Sequence, residues 1–308
     1  MIEIVNLTKR YGTFTALDQM NLTIEKGTVF GVVGPNGAGK STTFSILATL
    51  LAPTSGTAYI DGIDVTQNPS KIREYIGYMP DFFGVYDSLK AGEYLDFYGA
   101  SYGIAPKERE VLIPQLLELV NLSSKKDTYV DSLSRGMKQR LCLARCLIHD
   151  PEILILDEPA SGLDPRARVE MRDILKELKA MGKTILISSH ILPELSEMCD
   201  ALGVIENGQL VATGSVAAIQ QQLKANKVLI VTVQNEFERA IQFFEDQPLA
   251  VDVRKTADME LQFGFNGTDE DQIRLLKEAL QQSLPILSFT EEKTDLEDIF
   301  MEITKGVE

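Results

Sequence analysis

The stretch Thr28-Val29-Phe30-Gly31-Val32-Val33-Gly34-Pro35-Asn36-Gly37-Ala38-Gly39-Lys40-Ser41 decides the fold. Its apolar start predicts a strand over 28–33, the glycine-rich part a loop, and the pattern beyond Ser41 a helix. Gly34, Gly37 and Gly39 let the backbone turn its N–H groups inward with no Cβ in the way, and Pro35, Asn36 and Ala38 complete the loop. The next helix begins at the ligand, so its positive dipole end faces phosphate. Lys40 is placed to reach β and γ phosphates, and the Ser41 hydroxyl, followed by Thr42, to ligate Mg²⁺. A full eight-residue pattern in this context is far more specific than an ordinary glycine-rich turn.

The chain has 308 residues, 44% hydrophobic and 24% charged. That composition is ordinary for a globular protein, and the length predicts one large and one small domain. No apolar stretch approaches the roughly 18 residues that span a bilayer. The start, Met1-Ile2-Glu3-Ile4-Val5, has no basic segment followed by an apolar one. A cytoplasmic location is expected, with any membrane contact made through a partner. Cys142, Cys146 and Cys199 form no Cys-x-x-Cys pair and only two histidines accompany them, so the cysteines are expected in the core. A net charge of −15 argues against a nucleic-acid partner. Residues 225–308 hold 8 basic and 18 acidic residues, net −10, which suits a domain kept in solvent away from anionic lipid.

Antiparallel strands are expected over 2–7, 20–24 and 57–60, the last closed by an Asp61-Gly62 turn. Strand runs at 153–156 and 184–188 alternate with a helix at 166–181 stopped by Gly182, the mark of a parallel sheet covered by helices. Residues 88–145 read as a helical subdomain, with Leu116, Leu117, Val120 and Leu122 on one face. Asn207-Gly208 predicts a hairpin within 204–211. From Lys227 the order is strand 228–233, helix 236–245, strands 250–254 and 259–265, helix 269–283 and strand 286–291. This is the order of a ferredoxin-like split βαβ unit. The boundary therefore falls near Lys224, giving domains 1–224 and 225–308, and a last helix is expected over 296–303.

Four further motifs carry chemistry. Ile153-Leu154-Ile155-Leu156-Asp157-Glu158 is a strand ending in two carboxylates. Asp157 can hold Mg²⁺ through water, and Glu158 can polarise an attacking water. Leu133-Ser134-Arg135-Gly136-Met137-Lys138-Gln139-Arg140 opens a helix whose first N–H groups and Ser134 hydroxyl could hold a phosphate, although taken alone Ser134 reads first as a plain N-cap. Ser161-Gly162-Leu163-Asp164-Pro165 makes a turn directly after the carboxylates. Ser188-Ser189-His190 ends the next strand, where an imidazole could reach a γ-phosphate.

In this order the motifs resemble the nucleotide-binding subunit of ATP-binding cassette (ABC) transporters, over about residues 1–220. The resemblance implies a P-loop α/β core with an antiparallel β subdomain and a helical subdomain, and hydrolysis of ATP with Mg²⁺. It implies a head-to-tail homodimer in the ATP-bound state, each ATP lying between one copy's phosphate loop and the loop around Leu133 of the other. Ser134, Gly136 and Asp164 would belong to that second half, and Glu158 and His190 would be catalytic. Tyr11 in Lys9-Arg10-Tyr11-Gly12 matches the aromatic that stacks on adenine, although the residues alone allow a packed hairpin tyrosine as readily. Asp81 follows Ile76-Gly77-Tyr78-Met79-Pro80 where the family usually has Gln. Its carboxylate can still contact Mg²⁺ or water, but adds negative charge near the phosphates. Arg135 replaces the usual Gly and Met137 the usual Gln; Arg135 either approaches an opposing phosphate or points into solvent.

A single nucleotide-binding domain and a C-terminal domain ending in Asp295-Leu296-Glu297-Asp298-Ile299-Phe300 resemble the separate ATPase subunits of ABC-2-type exporters. These pair with a distinct multi-span membrane permease, which implies a place on the inner face of the membrane. In the family the region of Asp81-Phe82-Phe83-Gly84-Val85-Tyr86 contacts that permease; its aromatics are either exposed for the contact or packed in the helical subdomain. The stripe Leu296, Ile299, Phe300 and Ile303 either joins copies or packs on its own sheet. Two rival readings stand beside export. One is a nucleotide-responsive regulatory module with low turnover, suggested by Asp81 and Arg135. The other is a soluble ABC ATPase acting on ribosomes or nucleic acid, though such proteins generally carry two cassettes or long coiled-coil insertions.

Overall fold

In the computed structural model, which describes residues 1–82, 84, 86, 88–223 and 227–291, the deciding stretch forms the strand Val29–Val33, a loop and the helix Lys40–Leu47. The helix expected over 296–303 with its apolar stripe, and the side chains of Phe83 and Val85, lie outside those residues. By compactness the chain divides into two units, Met1–Val216 and Ala217–Glu308. The division falls eight residues ahead of the sequence boundary at 224, where the helix Val216–Leu223 begins.

The first unit is built on a six-stranded sheet in the order Gln209–Ser215, Ala201–Glu206, Val29–Val33, Thr184–Ser189, Ile153–Leu156, Ile76–Met79. All neighbours are parallel except the edge pair, which the Asn207-Gly208 turn joins with both residues at positive φ. Val29–Val33 and Ile153–Leu156 are buried at every position, as strands covered on both faces must be. Val33 pairs with Ser189, and Leu156 with Ile187. The chain therefore leaves three neighbouring strands at one edge of the sheet, and the phosphate loop, Asp157-Glu158 and His190 follow directly. Open parallel sheets bind ligands at such carboxyl ends.

A second, antiparallel sheet has the order Phe14–Ile24, Ile2–Tyr11, Ser55–Ile60, Ile63–Asp64. Its first two strands run well beyond the expected 2–7 and 20–24. Asn6 and Gln19 adopt positive φ where the register shifts, so pairing resumes on the far side of a break in the alternation. One core, including Ile2, Leu17, Met20, Phe44, Ile155 and Leu186, joins this sheet to the helix Lys40–Leu47 and the parallel sheet. The helical subdomain contains the helices Ala91–Ser101, Pro106–Leu119 and Arg135–Leu147, and buries Leu116, Leu117, Val120 and Leu122 as their spacing requires. Cys142 and Cys146 are buried, Cys199 is half-buried, and all three are free.

The second unit has a sheet in the order Ala250–Ala257, Glu260–Phe265, Lys227–Val233, Ile286–Glu291, antiparallel throughout. With the helices Phe237–Glu245 and Asp269–Gln281 this is the ferredoxin-like arrangement. It has its own core, centred on Leu229, Val231, Phe244, Leu261, Phe263 and Phe265. The strand Ala250–Ala257 outlasts its expected end at 254 because a register shift at Asp252, again at positive φ, carries the pairing onward.

Candidate nucleotide site

Gly39 takes φ 109° at the N-cap of the helix Lys40–Leu47, where a side chain would strike the Ala16 carbonyl and Leu17. No side chain caps this helix, so its first N–H groups stay available to an anion. Lys40 is buried, and its Nζ donates to the carbonyls of Gly34 at 2.7 Å and Pro35 at 3.2 Å. The same nitrogen lies 3.8 Å from Glu158 Oε1. Burial draws the lysine pKa down, while Glu158, Asp157 and Asp81 act against that shift.

One hydroxyl ties the Asp157 carboxylate to the backbone of Glu158. Ser188 Oγ donates to Asp157 Oδ1 at 2.5 Å and accepts the Glu158 N–H at 2.8 Å. Asp157 is 2% exposed, with its own N–H on the Met79 carbonyl. Glu158 sits at φ 51°, a conformation that costs a non-glycine residue energy and persists where its surroundings hold it. Its Oε2 lies 3.0 Å from His190 Nδ1. Lys40, Glu158 and His190 thus form one chain of contacts across three strand ends.

A cleft of about 390 Å³ collects most of the expected residues: Tyr11, Asn36, Gly37, Gly39, Lys40, Ser41, Thr42, Asp81, Glu158 and His190. Gly34, Pro35, Ala38 and Asp157 belong to the same loops but do not line it. Tyr11 and Phe14 are both exposed on the rim, with Lys9 Nζ 5.1 Å from the Tyr11 ring centroid. They offer a flat apolar face to an aromatic base.

Ser134, Gly136 and Asp164 stand apart from this cleft, at two other helix starts. Ser134 Oγ accepts the Met137 N–H at 3.3 Å, and Asp164 Oδ1 accepts the Ala167 N–H at 2.9 Å, so both are N-caps here. A Cβ on Gly136 would lie 3.1 Å from the Ala167 Cβ, which sets these helix starts side by side. The Arg135 guanidinium lies against Gly162: a Cβ there would fall 2.6 Å from its Cζ. Gln139 Nε2 donates to the Ser161 carbonyl, a second tie between the same two segments.

No group of three or more His, Cys, Asp or Glu residues among those described is set to hold a metal. Mg²⁺ generally keeps several waters and takes one or two protein carboxylates beside a substrate's phosphates. Ser41 and Asp81 on the cleft and Asp157 behind it are hard oxygen donors of that kind.

Several further residues support the site from positions with little local signal in the sequence. Ser188 had a signal, a polar side chain at the end of an apolar strand, but its two hydrogen bonds depend on the register with Ile153–Leu156. Glu194 accepts from Ser189 Oγ at 3.3 Å, and its Oε1 lies 3.1 Å from Arg168 Nε. Ser189 Oγ also accepts the Ile191 N–H, so Glu194 and Arg168 brace the turn that carries His190. Burial pushes the Glu194 carboxyl pKa up, with Arg168 opposing.

The family described as ABC transporter matches residues 17–161, and the C-terminal domain of DrrA1-3-like ATP-binding proteins matches residues 214–304. The linearmycin resistance ATP-binding protein LnrL of Bacillus subtilis is 30% identical over 99% of this chain and 98% of its own. The Nod factor export ATP-binding protein I of Sinorhizobium fredii is 41% identical over 74% of this chain and 67% of its own. Among solved structures, a dimeric post-hydrolysis ATP-binding cassette bound to ADP and phosphate aligns with a TM-score of 0.64 at 26% identity, covering 70% of this chain and 99% of that one. A phosphate loop, paired carboxylates and a histidine on adjacent strand ends, with full-length similarity to such subunits, make the chain a member of the ABC transporter family, an ATP-binding subunit that hydrolyses ATP.

Proposed function

We propose that the chain binds Mg²⁺–ATP in the cleft between Tyr11 and Lys40, and that its hydrolysis powers an exporter completed by a separate multi-span membrane permease. The carrying observation is the chain of contacts Lys40–Glu158–His190 across the carboxyl ends of neighbouring strands. Lys40 and the first N–H groups of its helix bind the phosphates, and Tyr11 with Phe14 receives the base. Glu158 accepts a proton from the attacking water, while His190 holds its carboxylate. Ser41, Asp157 and Asp81 would hold Mg²⁺, whose charge would offset that developing on the phosphates. Ser134, Gly136 and Asp164 serve the nucleotide of a second copy, a reading supported by the dimeric cassette among the similar structures.

Export is supported by the relatives, named for Nod factor export and linearmycin resistance, and those names do not favour the ribosomal or regulatory readings. No helix among the described residues is long and apolar enough to cross a membrane, so in this reading the path belongs to the permease, which holds the chain at the inner face.

The test is Glu158→Gln. ATP binding persists while turnover falls roughly 10²- to 10⁴-fold, the usual contribution of a general base, and ATP-loaded dimers accumulate on a sizing column. Near-normal turnover in the variant removes Glu158 from this role.

A further inference from the structure

The first unit has a second and larger pocket, of about 630 Å³, sharing no lining residue with the nucleotide cleft. It lies among the helices Pro106–Leu119 and Pro165–Ala180 and the end of Arg135–Leu147. Its volume is in the range of small-molecule sites, roughly 300–1,000 Å³. Leu116, Leu147, Ile174 and Leu178 form buried parts of its wall. Met181, 59% exposed at its edge, is the kind of unbranched side chain that adapts to an occupant.

The charge around this apolar wall is one-sided. Glu118, Asp150, Asp173 and Glu177 line the pocket against a single lining base, Lys183, while Arg172 Nε, outside the lining, lies 3.7 Å from Asp173 Oδ1. That lysine is already committed, its Nζ 2.5 Å from Asp150 Oδ1. Neither Glu118 nor Glu177 has an ion-pair partner among the described residues, and both are exposed. An apolar body can leave water against the leucines while a positive head stays among carboxylates in partial contact with solvent. An anion of the same shape meets repulsion instead.

We propose that this pocket binds a lipophilic cation, an amine or onium ion with an apolar body of drug size. No residue lines both this pocket and the ATP cleft, so the occupant and the nucleotide do not compete for the same side chains. Its place is nonetheless close to the chemistry in the chain: two of its helices begin at the N-caps Ser134 and Asp164.

Two ions of matched shape and opposite charge, tetraphenylphosphonium and tetraphenylborate, test the proposal by isothermal titration calorimetry on the full chain without nucleotide. Tetraphenylphosphonium binds saturably at one site per chain, and more weakly as salt rises. The Glu118→Gln/Glu177→Gln variant, which keeps shape and removes two exposed charges, weakens it roughly three- to tenfold. Leu119→Trp, at the half-buried edge, blocks the pocket and removes binding while the thermal melting midpoint of the chain is kept. Equal affinity for the two ions, unchanged affinity in the charge variant, or the absence of saturable binding up to millimolar tetraphenylphosphonium overturns it. The last of these holds even if a protein segment is found seated in the groove.

Discussion

Ser188 shows how much of the site rests on a side chain that is not expected to touch nucleotide. Its hydroxyl donates a hydrogen bond to Asp157 and accepts one from the Glu158 N–H, and it is fully buried. Ser188→Ala leaves a buried N–H and a carboxylate oxygen unpaired, a loss of about 1–3 kcal/mol. Denaturant unfolding of the variant measures that loss, and its turnover falls further than its ATP affinity, because Glu158 is no longer held at its unfavourable φ. Unchanged stability and turnover would show that water replaces the hydroxyl. Asp81 makes a contrasting case: it is exposed, lines the cleft and adds its charge to the field around Lys40. Asp81→Ala is expected to lower turnover and raise the Mg²⁺ requirement, whereas Asp81→Gln keeps much of the activity, with stability hardly altered in either. An identical Mg²⁺ dependence in all three proteins would separate Asp81 from the metal.

At the scale of elements, the legible features were those whose cause is local. Asp61-Gly62 and Asn207-Gly208 announce their turns because few other pairs accept positive φ at both positions. The buried strands were legible as unbroken apolar runs, and their order of appearance fixed where the carboxylates and His190 must emerge. Less visible were the bulges at Asn6, Gln19 and Asp252, which depend on cross-strand register rather than on composition. The pairing of Arg135 with Gly162, and of Glu194 with Arg168, likewise joins segments that only the fold brings together. The same is true of His149, just beyond the end of the helix Arg135–Leu147. Its Nε2 meets the Ile76 carbonyl at 2.9 Å, its ring stacks on Tyr102 at 4.0 Å, and its Nδ1 is buried with no hydrogen-bond partner. Burial holds its pKa below the ordinary imidazole value, with Asp150 and the Ile76 carbonyl opposing and Lys183 assisting. A depressed folded pKa means that the unfolded chain binds the proton first, so the stability it contributes is present above the ordinary imidazole pKa and lost on acidification below it. Thermal midpoints taken between about pH 7 and 5 are expected to fall less in His149→Gln than in the parent, each referred to its own neutral value. Parallel curves would exclude His149 as the source.

For the whole molecule the decisive contrast is between where the chemistry lies and where the charge lies. Every residue that lines the nucleotide cleft falls between Tyr11 and His190, while residues 225–308 hold −10 of the net −15. The second unit closes its own sheet over its own apolar cluster, so its fold does not depend on completing the cleft. A compact unit of that kind, rich in like charge, resists self-association except through an apolar contact, and it adds no group to phosphate binding. We therefore propose that residues 225–308 serve assembly or regulation rather than the chemical step. A chain shortened to residues 1–224 is expected to keep Mg²⁺-dependent ATP binding within about threefold, since no ligating group is removed. Its dimerisation, its capture of the permease or its basal turnover is expected to change. Fluorescent-nucleotide titration measures the first expectation, and sizing chromatography with and without ATP the second. A shortened protein that keeps its circular dichroism yet binds no nucleotide would contradict this division, because the second unit would then have to contribute to a cleft that none of its described residues lines.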